Sequence, residues 1–194
     1  MKSRTAAKEV AILLFDVGGV LVQLSGVETM LTWMGRTATS EELWRMWLQS
    51  TAVTAEFCLA VDPKRFLQSF SGWPTGLYPG TLEMLARIPP SYRRALLSNS
   101  NSLHWPRVIN EMHLGSAFNH HFVSHLTGRI KPDVDAFEHV VASLGCTPGE
   151  VLFLDDNMIN VDAARNFGMH AARVQGPAEV QKALCAFGIL AAGC

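Results

Sequence analysis

Apolar residues come in short runs along this chain, and each run closes on polar residues. Residues 10–15 (Val-Ala-Ile-Leu-Leu-Phe) carry no polar position and are too few for a helix. Such a run predicts a strand buried on both faces, as in a parallel sheet. It ends on Asp16, followed by Val17, Gly18 and Gly19. A similar run occurs at 151–154, closing on Asp155-Asp156-Asn157, and residues 94–97, led by Arg94, predict a strand closing on Ser98-Asn99-Ser100-Asn101. Residues 122–124 and 171–174 predict two further short strands. Between the strands the spacing changes to that of a helix. Leu82, Met84, Leu85 and Ile88 give one helical face, stopped by Pro89-Pro90. Further helices are predicted over 102–112 (with Pro106 in its first turn), over 134–144, through Val161, Ala164 and Phe167 up to Gly168, and over 178–187. Strand and helix alternate, so the expected fold is α/β, a Rossmann-like, doubly wound parallel sheet.

One stretch breaks the alternation. Residues 24–76 hold Trp33, Trp44, Trp47 and Trp73 and read as helical pieces. Thr39 or Ser40 caps one, with Glu41 and Glu42 in its first turn and Leu43, Met46 and Trp47 on one face. Asp62-Pro63 opens another, with Phe66, Leu67 and Phe70 as its stripe. Trp73-Pro74-Thr75-Gly76 and Tyr78-Pro79-Gly80 read as breakers that close the stretch. The expected organisation is therefore a core made of residues 1–22 and 78–194, with a small helical cap over 23–77. The aromatic stripes of the cap are read as packing.

Composition narrows the function classes. With 194 residues the chain fits one domain plus a modest insertion, and 48% hydrophobic residues supply an ample core. A net charge of −1, with no Lys/Arg run, disfavours a nucleic-acid binder. No apolar stretch is long enough to cross a bilayer, and residues 1–9 lack the apolar region of a secretion signal. Cys58, Cys146, Cys185 and Cys194 are scattered, which disfavours zinc or a redox pair. The expectation is a cytoplasmic protein, monomer or homodimer, that acts on a small molecule without nucleic acid or membrane.

In a parallel sheet the carboxyl ends of all strands share one edge, which is where such folds bind ligands. Asp16, Ser98-Asn99 and Asp155-Asp156 would meet there. Three carboxylates repel unless a cation lies among them, and ligation by oxygen alone suits Mg²⁺. Ser98 and Asn99 offer a hydroxyl, an amide and backbone N–H groups near a helix start, which suits an anion. Lys131, followed by Pro132, would add a positive charge. His104 follows the Ser98-Asn99 loop and is a candidate for substrate contact, although a single His in a helix is more commonly structural. His113, His120, His121 and His125 share no ligand spacing and read as solvated or packed. Arg129 reads as surface charge.

Phe15-Asp16-Val17-Gly18-Gly19-Val20-Leu21-Val22, Leu97-Ser98-Asn99, Ile130-Lys131-Pro132-Asp133 and Phe153-Leu154-Asp155-Asp156-Asn157 resemble the four motifs of the haloacid dehalogenase-like (HAD) hydrolase superfamily. Residues 78–174 are similar to its sugar-phosphate phosphatase branch. The resemblance implies a five-stranded core with a helical cap inserted after the first motif. It implies that Asp16 is a nucleophile forming an aspartyl-phosphate, and that Asp16, the Gly18 carbonyl and Asp156 bind Mg²⁺, with Asp155 a direct or water-mediated partner. Ser98, Asn99 and Lys131 would hold the phosphoryl group of a small phosphorylated metabolite. The chain departs from the pattern at Gly18, where many phosphatases of the superfamily carry a second Asp as general acid and base, and in its cap, which over 51–67 is shortened relative to this branch. Two other readings remain open. One is a metal-free dehalogenase, against which Asp155-Asp156 argues; the other is a non-catalytic binding protein that kept the fold.

Overall fold

The computed structural model describes residues 10–25 and 68–191. Strand β1 (Ile12–Phe15) is followed by β2 (Val22–Leu24), β3 (Pro74–Leu77), helix α1 (Thr81–Ala86), β4 (Arg93–Ser98) and β5 (His120–Val123). A short α2 (Ser124–Thr127), α3 (Val134–Leu144), β6 (Val151–Asp155), α4 (Met158–Phe167), β7 (His170–Arg173) and α5 (Gly176–Ala186) complete it. A five-stranded sheet runs in the order β5-β4-β1-β6-β7, and every pairing in it is parallel. This is the expected doubly wound α/β architecture.

The sheet's centre accounts for its sequence. On β1, Ile12 and Leu14 face an apolar layer with Phe137, Val140, Val161 and Ala164, which belong to α3 and α4. Leu13 and Phe15 face the other layer, with Met84, Leu85, Val180 and Leu184 of α1 and α5. Alternate residues leave a strand on opposite sides, so a strand covered on both faces must be apolar throughout. That is why the first run has no polar position until it reaches the sheet edge at Asp16. Helix α3 occupies the predicted span. Helix α4 stops at Gly168, whose φ of 101° is accessible to glycine at little cost.

Several expectations need correction. The Trp73-Pro74-Thr75-Gly76 breaker is in large part strand β3, which pairs antiparallel with β2. Proline is tolerated there because it opens the strand, where its missing N–H breaks little of the ladder. The two chain ends that flank residues 26–67 are thereby held together. Residues 68–71 are helical, but the Thr39/Ser40 and Asp62-Pro63 helix starts lie outside the described residues. The helix predicted over 102–112 is mainly a π-type turn, Arg107–Glu111, in which the Met112 N–H donates to the Arg107 carbonyl (3.1 Å). Ser124 leaves the strand and opens α2, and its hydroxyl turns to the backbone of Ser100. Leu82 points outward, leaving Met84, Leu85 and Ile88 as the buried face of that segment.

Candidate active site

Asp16, Ser98 and Asp155 stand at the carboxyl ends of β1, β4 and β6, which are neighbours in the sheet. The Asp16 N–H donates to Leu154 O (2.8 Å), so the register sets Asp16 beside Asp155. Asp16, Asp155 and Asp156 each offer a carboxylate oxygen, and the three oxygens lie within 4.8 Å of one another. Lys131, from the loop between α2 and α3, reaches them from the side. Its Nζ donates to Asp16 Oδ1 (2.6 Å) and Asp155 Oδ2 (2.7 Å) and lies 5.5 Å from the centre of the Phe153 ring. Lys131 is buried, as is Asp155, and Asp16 is 8% exposed. An isolated charge in such a place would be expelled or neutralised, and each of these groups persists by pairing with the others.

The acids do different work. Asp155 is saturated by protein donors: Lys131, the Asn157 N–H (2.8 Å) and the Asn160 amide, which reaches both oxygens at 3.1 Å. It anchors the lysine. Among the described residues only Lys131 donates to the Asp16 side chain, and it takes Oδ1, leaving Oδ2 open. Asp156 lies against Gly19. That glycine has a φ of 74°, and a Cβ there would come within 2.1 Å of Asp156 Oδ2. Only a residue without a side chain permits this approach.

One lysine against three acids leaves an excess of negative charge, and protons fill the deficit. Burial pushes Asp16 up to about 7, with Asp155 and Asp156 raising it further against the pull of Lys131. Burial, then Asp155, pushes Asp156 up to about 6. Burial draws the Lys131 ammonium down, but Asp155 and Asp16 outweigh it and hold the group above its ordinary value. Carboxylates that keep protons near neutrality are a seat for a cation, since a divalent ion displaces protons and neutralises the same charge. Their all-oxygen donor set suits Mg²⁺.

The anion-binding residues divide in the same way. Ser98 is buried at the end of β4. The Asn99 amide is committed to the Lys131 backbone: Nδ2 donates to Lys131 O (2.8 Å), and Oδ1 accepts from Lys131 N (2.9 Å). The expectation that this amide offers itself to an anion gives way to a different task, that of fixing the Lys131 loop. Ser124 repeats the device one step along. Its Oγ accepts from Ser100 N (3.0 Å) and donates to Ser100 O (2.9 Å), so the β4–β5 pairing continues beyond its last strand residues. His104 is withdrawn from the chemistry. Its Nε2–H donates to Phe70 O (2.6 Å), and its Nδ1 accepts from Asn101 Nδ2 (3.3 Å). Burial lowers its pKa, which favours the neutral ring. Arg129 pairs loosely with Asp135 (3.8 Å) at the surface.

Sequence reasoning missed Asn160 and Ser124. Asn160 stands five residues after Asp155 at the start of α4, polar and buried beside Val161. That spacing was the available signal. Nothing local marks Ser124.

Asp-tipped parallel strands, a buried lysine and an acidic cluster define an α/β protein with a charged candidate site at the carboxyl edge of its sheet. A model of the haloacid dehalogenase-like hydrolases matches residues 31–168, and the chain belongs to this family. The chain is 34% identical over 97 residues to an (S)-2-haloacid dehalogenase from Xanthobacter autotrophicus, a match that spans 50% of this chain but only 38% of that enzyme. It is 25% identical over 186 residues to phosphoglycolate phosphatase 1 from Pseudomonas aeruginosa, covering 83% of this chain and 68% of the relative. The fold superposes on a HAD-family enzyme from Bacteroides thetaiotaomicron, an aspartate-to-alanine variant in complex with magnesium and inorganic phosphate. The TM-score is 0.68 at 23% identity, over 86% of this chain and 94% of the other. Among the described residues, no helix is long and apolar enough to cross a membrane.

Proposed function

We propose that the protein is a Mg²⁺-dependent phosphatase that hydrolyses a small phosphorylated metabolite through a phosphoryl group carried on Asp16. The observation that carries this reading is the charge arrangement: Asp16 and Asp155 share one buried lysine, Asp16 Oδ2 is open, and Asp156 brings a third carboxylate into the same cluster. A carboxylate approaches a phosphate dianion only where positive charge screens the two. When bound, the metal ion would supply that screening and polarise the phosphoryl oxygens. Asp16, Asp156 and the Gly18 carbonyl would hold it. Asp155 is better suited to a water-mediated contact, because protein donors already occupy its oxygens. Lys131 draws the phosphoryl group in and keeps Asp16 Oδ1 turned away from it, so that Oδ2 attacks. Ser98 would donate to a phosphoryl oxygen. Forming the acyl phosphate replaces one difficult displacement by two easier ones. Residues 23–77 would form the cap that closes over the site and contacts the rest of the substrate.

The Pseudomonas phosphatase and the magnesium–phosphate complex of the Bacteroides enzyme support this reading by likeness. The identity to the dehalogenase favours a second one, in which Asp16 attacks carbon and releases halide without metal. Asp156 weighs against it, because an extra, half-buried acid repels a carboxylate substrate unless a cation is present. A panel of phosphorylated metabolites and 2-haloacids, assayed with and without Mg²⁺, separates the readings. Phosphate release that needs Mg²⁺ is expected. Halide release in EDTA would establish the dehalogenase instead, and neither release would leave a binding protein.

A further inference from the structure

The two glycines that follow Asp16 serve different purposes. Gly19 is demanded by its φ of 74° and by the Asp156 carboxylate pressed against it. Gly18 has no left-handed backbone to require glycine. What fills its side-chain space is Leu24: a Cβ on Gly18 would lie 2.7 Å from Leu24 Cδ1 and 3.5 Å from Leu24 Cγ. Strand β2 brings Leu24 there, because Val22 bridges back to Gly18 and its carbonyl accepts from Gly19 N (2.9 Å). Leu24 itself is 37% exposed and is no core residue. Neighbouring residues send their side chains to different sides. The Gly19 position faces the acids, and the Gly18 position faces an apolar wall.

Among the described residues around Asp16, no group is free to move a proton. Lys131 is held between two carboxylates, and Asp155 is saturated. Asp156 lies on the acidic side, against Gly19. His104 has both ring nitrogens engaged.

Building on the phosphatase reading, we infer that Leu24 walls the leaving-group side of the site, so that it takes phosphates whose leaving oxygen departs unprotonated, and that Asp16 stays phosphorylated between turnovers. In the first step Asp16 Oδ2 bonds to phosphorus, and the bond from phosphorus to the leaving oxygen breaks with its electron pair on that oxygen. The product leaves as a carboxylate or phenolate anion, so acyl and aryl phosphates are the substrate class. In the second step water attacks phosphorus, the Asp16–phosphorus bond breaks and restores the carboxylate, and the surplus proton passes to solvent. No base among the described residues assists that water, and Leu24 keeps its side dry. The second step is therefore slow and common to all substrates.

The test uses the full-length protein with Mg²⁺ and para-nitrophenyl phosphate, phenyl phosphate and glycerol phosphate, followed by rapid mixing. The wild type is expected to show kcat/KM falling steeply as the leaving group becomes more basic. It should give kcat values nearly equal for the two aryl esters and a burst of para-nitrophenol close to one per site. Gly18→Asp alone should gain little on glycerol phosphate, because the new side chain meets Leu24. Gly18→Asp with Leu24→Ala should raise its kcat/KM by about 10²-fold, the lower range of general acid–base assistance, and shrink the burst. Phosphate release with a flat leaving-group dependence, or without a burst, overturns this inference and leaves the phosphatase intact. Equal gains from Gly18→Asp with and without Leu24→Ala remove Leu24 from the account. Release from no substrate overturns the phosphatase reading and this one with it.

Discussion

The site has two sides of opposite character. On one, Asp16, Lys131 and Asp155 are joined by short, buried, charge-assisted hydrogen bonds and fixed in turn by Asn99, Asn157 and Asn160, with Asp156 close beside them. On the other, Gly18 presents bare backbone and Leu24 an apolar, partly exposed surface. The difference separates two contributions to catalysis that are often discussed together. Electrostatic stabilisation is usually the larger, and it needs a rigid, pre-set cluster of charges. Proton transfer is a smaller factor and needs a titratable group aimed at the leaving oxygen. The described residues supply the first and omit the second.

Substitutions should be severe on the charged side and mild on the apolar one. Asp16→Asn should lower turnover by about 10⁴-fold or more, the scale seen when a nucleophile is removed, while its thermal transition stays at or above that of the wild type. The amide is close to the carboxylate in shape, is a poor nucleophile, and removes one of the crowded acids. Near-normal turnover would dissolve the contrast. Lys131→Met should cost about 3–5 kcal/mol in denaturant unfolding, because Asp16 and Asp155 lose the cation they share. A loss below about 1 kcal/mol would mean that water already reaches the pair. Asn99→Ala and Asn160→Ala hold first the Lys131 loop and then Asp155, so each should reduce activity about 10–100-fold, mainly in kcat.

The smallest effect is one of pH, and it sharpens the comparison because only the charged side titrates. Asp16 and Asp156 hold protons in the folded, metal-free protein up to about 7 and about 6, above the 3.8 of a free carboxyl group. Their contribution to stability is therefore full below about pH 4 and is lost as pH rises through those folded values. Mg²⁺ replaces the protons, so the rise in Tm on adding it should be larger at pH 8 than at pH 5. Asp16→Asn should reduce that difference. An equal rise at both pH values would place the metal elsewhere.

Much of this site was legible because its residues stand where apolar runs stop. β1 and β6 are covered on both faces, so the first polar residue after each marks the sheet edge. Helix α3 could be delimited from Asp133 and Gly145, which bound it in sequence as in space. What stayed hidden depends on partners distant in the chain. Pro74 and Gly76 look like breakers until β2 is seen beside them, and Gln23, the partner of Gly76, lies 53 residues earlier. The Asn99 amide looks available until the Lys131 backbone meets both its ends. Leu24 is an ordinary strand residue until a Cβ is imagined on Gly18.

The central claim is that Asp16 carries the phosphoryl group with Mg²⁺ present. The most direct measurement is the mass of the peptide containing Asp16 after rapid acid quenching of the protein during turnover of para-nitrophenyl phosphate. The account predicts one added phosphoryl group on Asp16 when Mg²⁺ is supplied, absent in EDTA and absent in Asp16→Asn. Steady phosphate release with that peptide unmodified, or with the phosphoryl group on another residue, would contradict it.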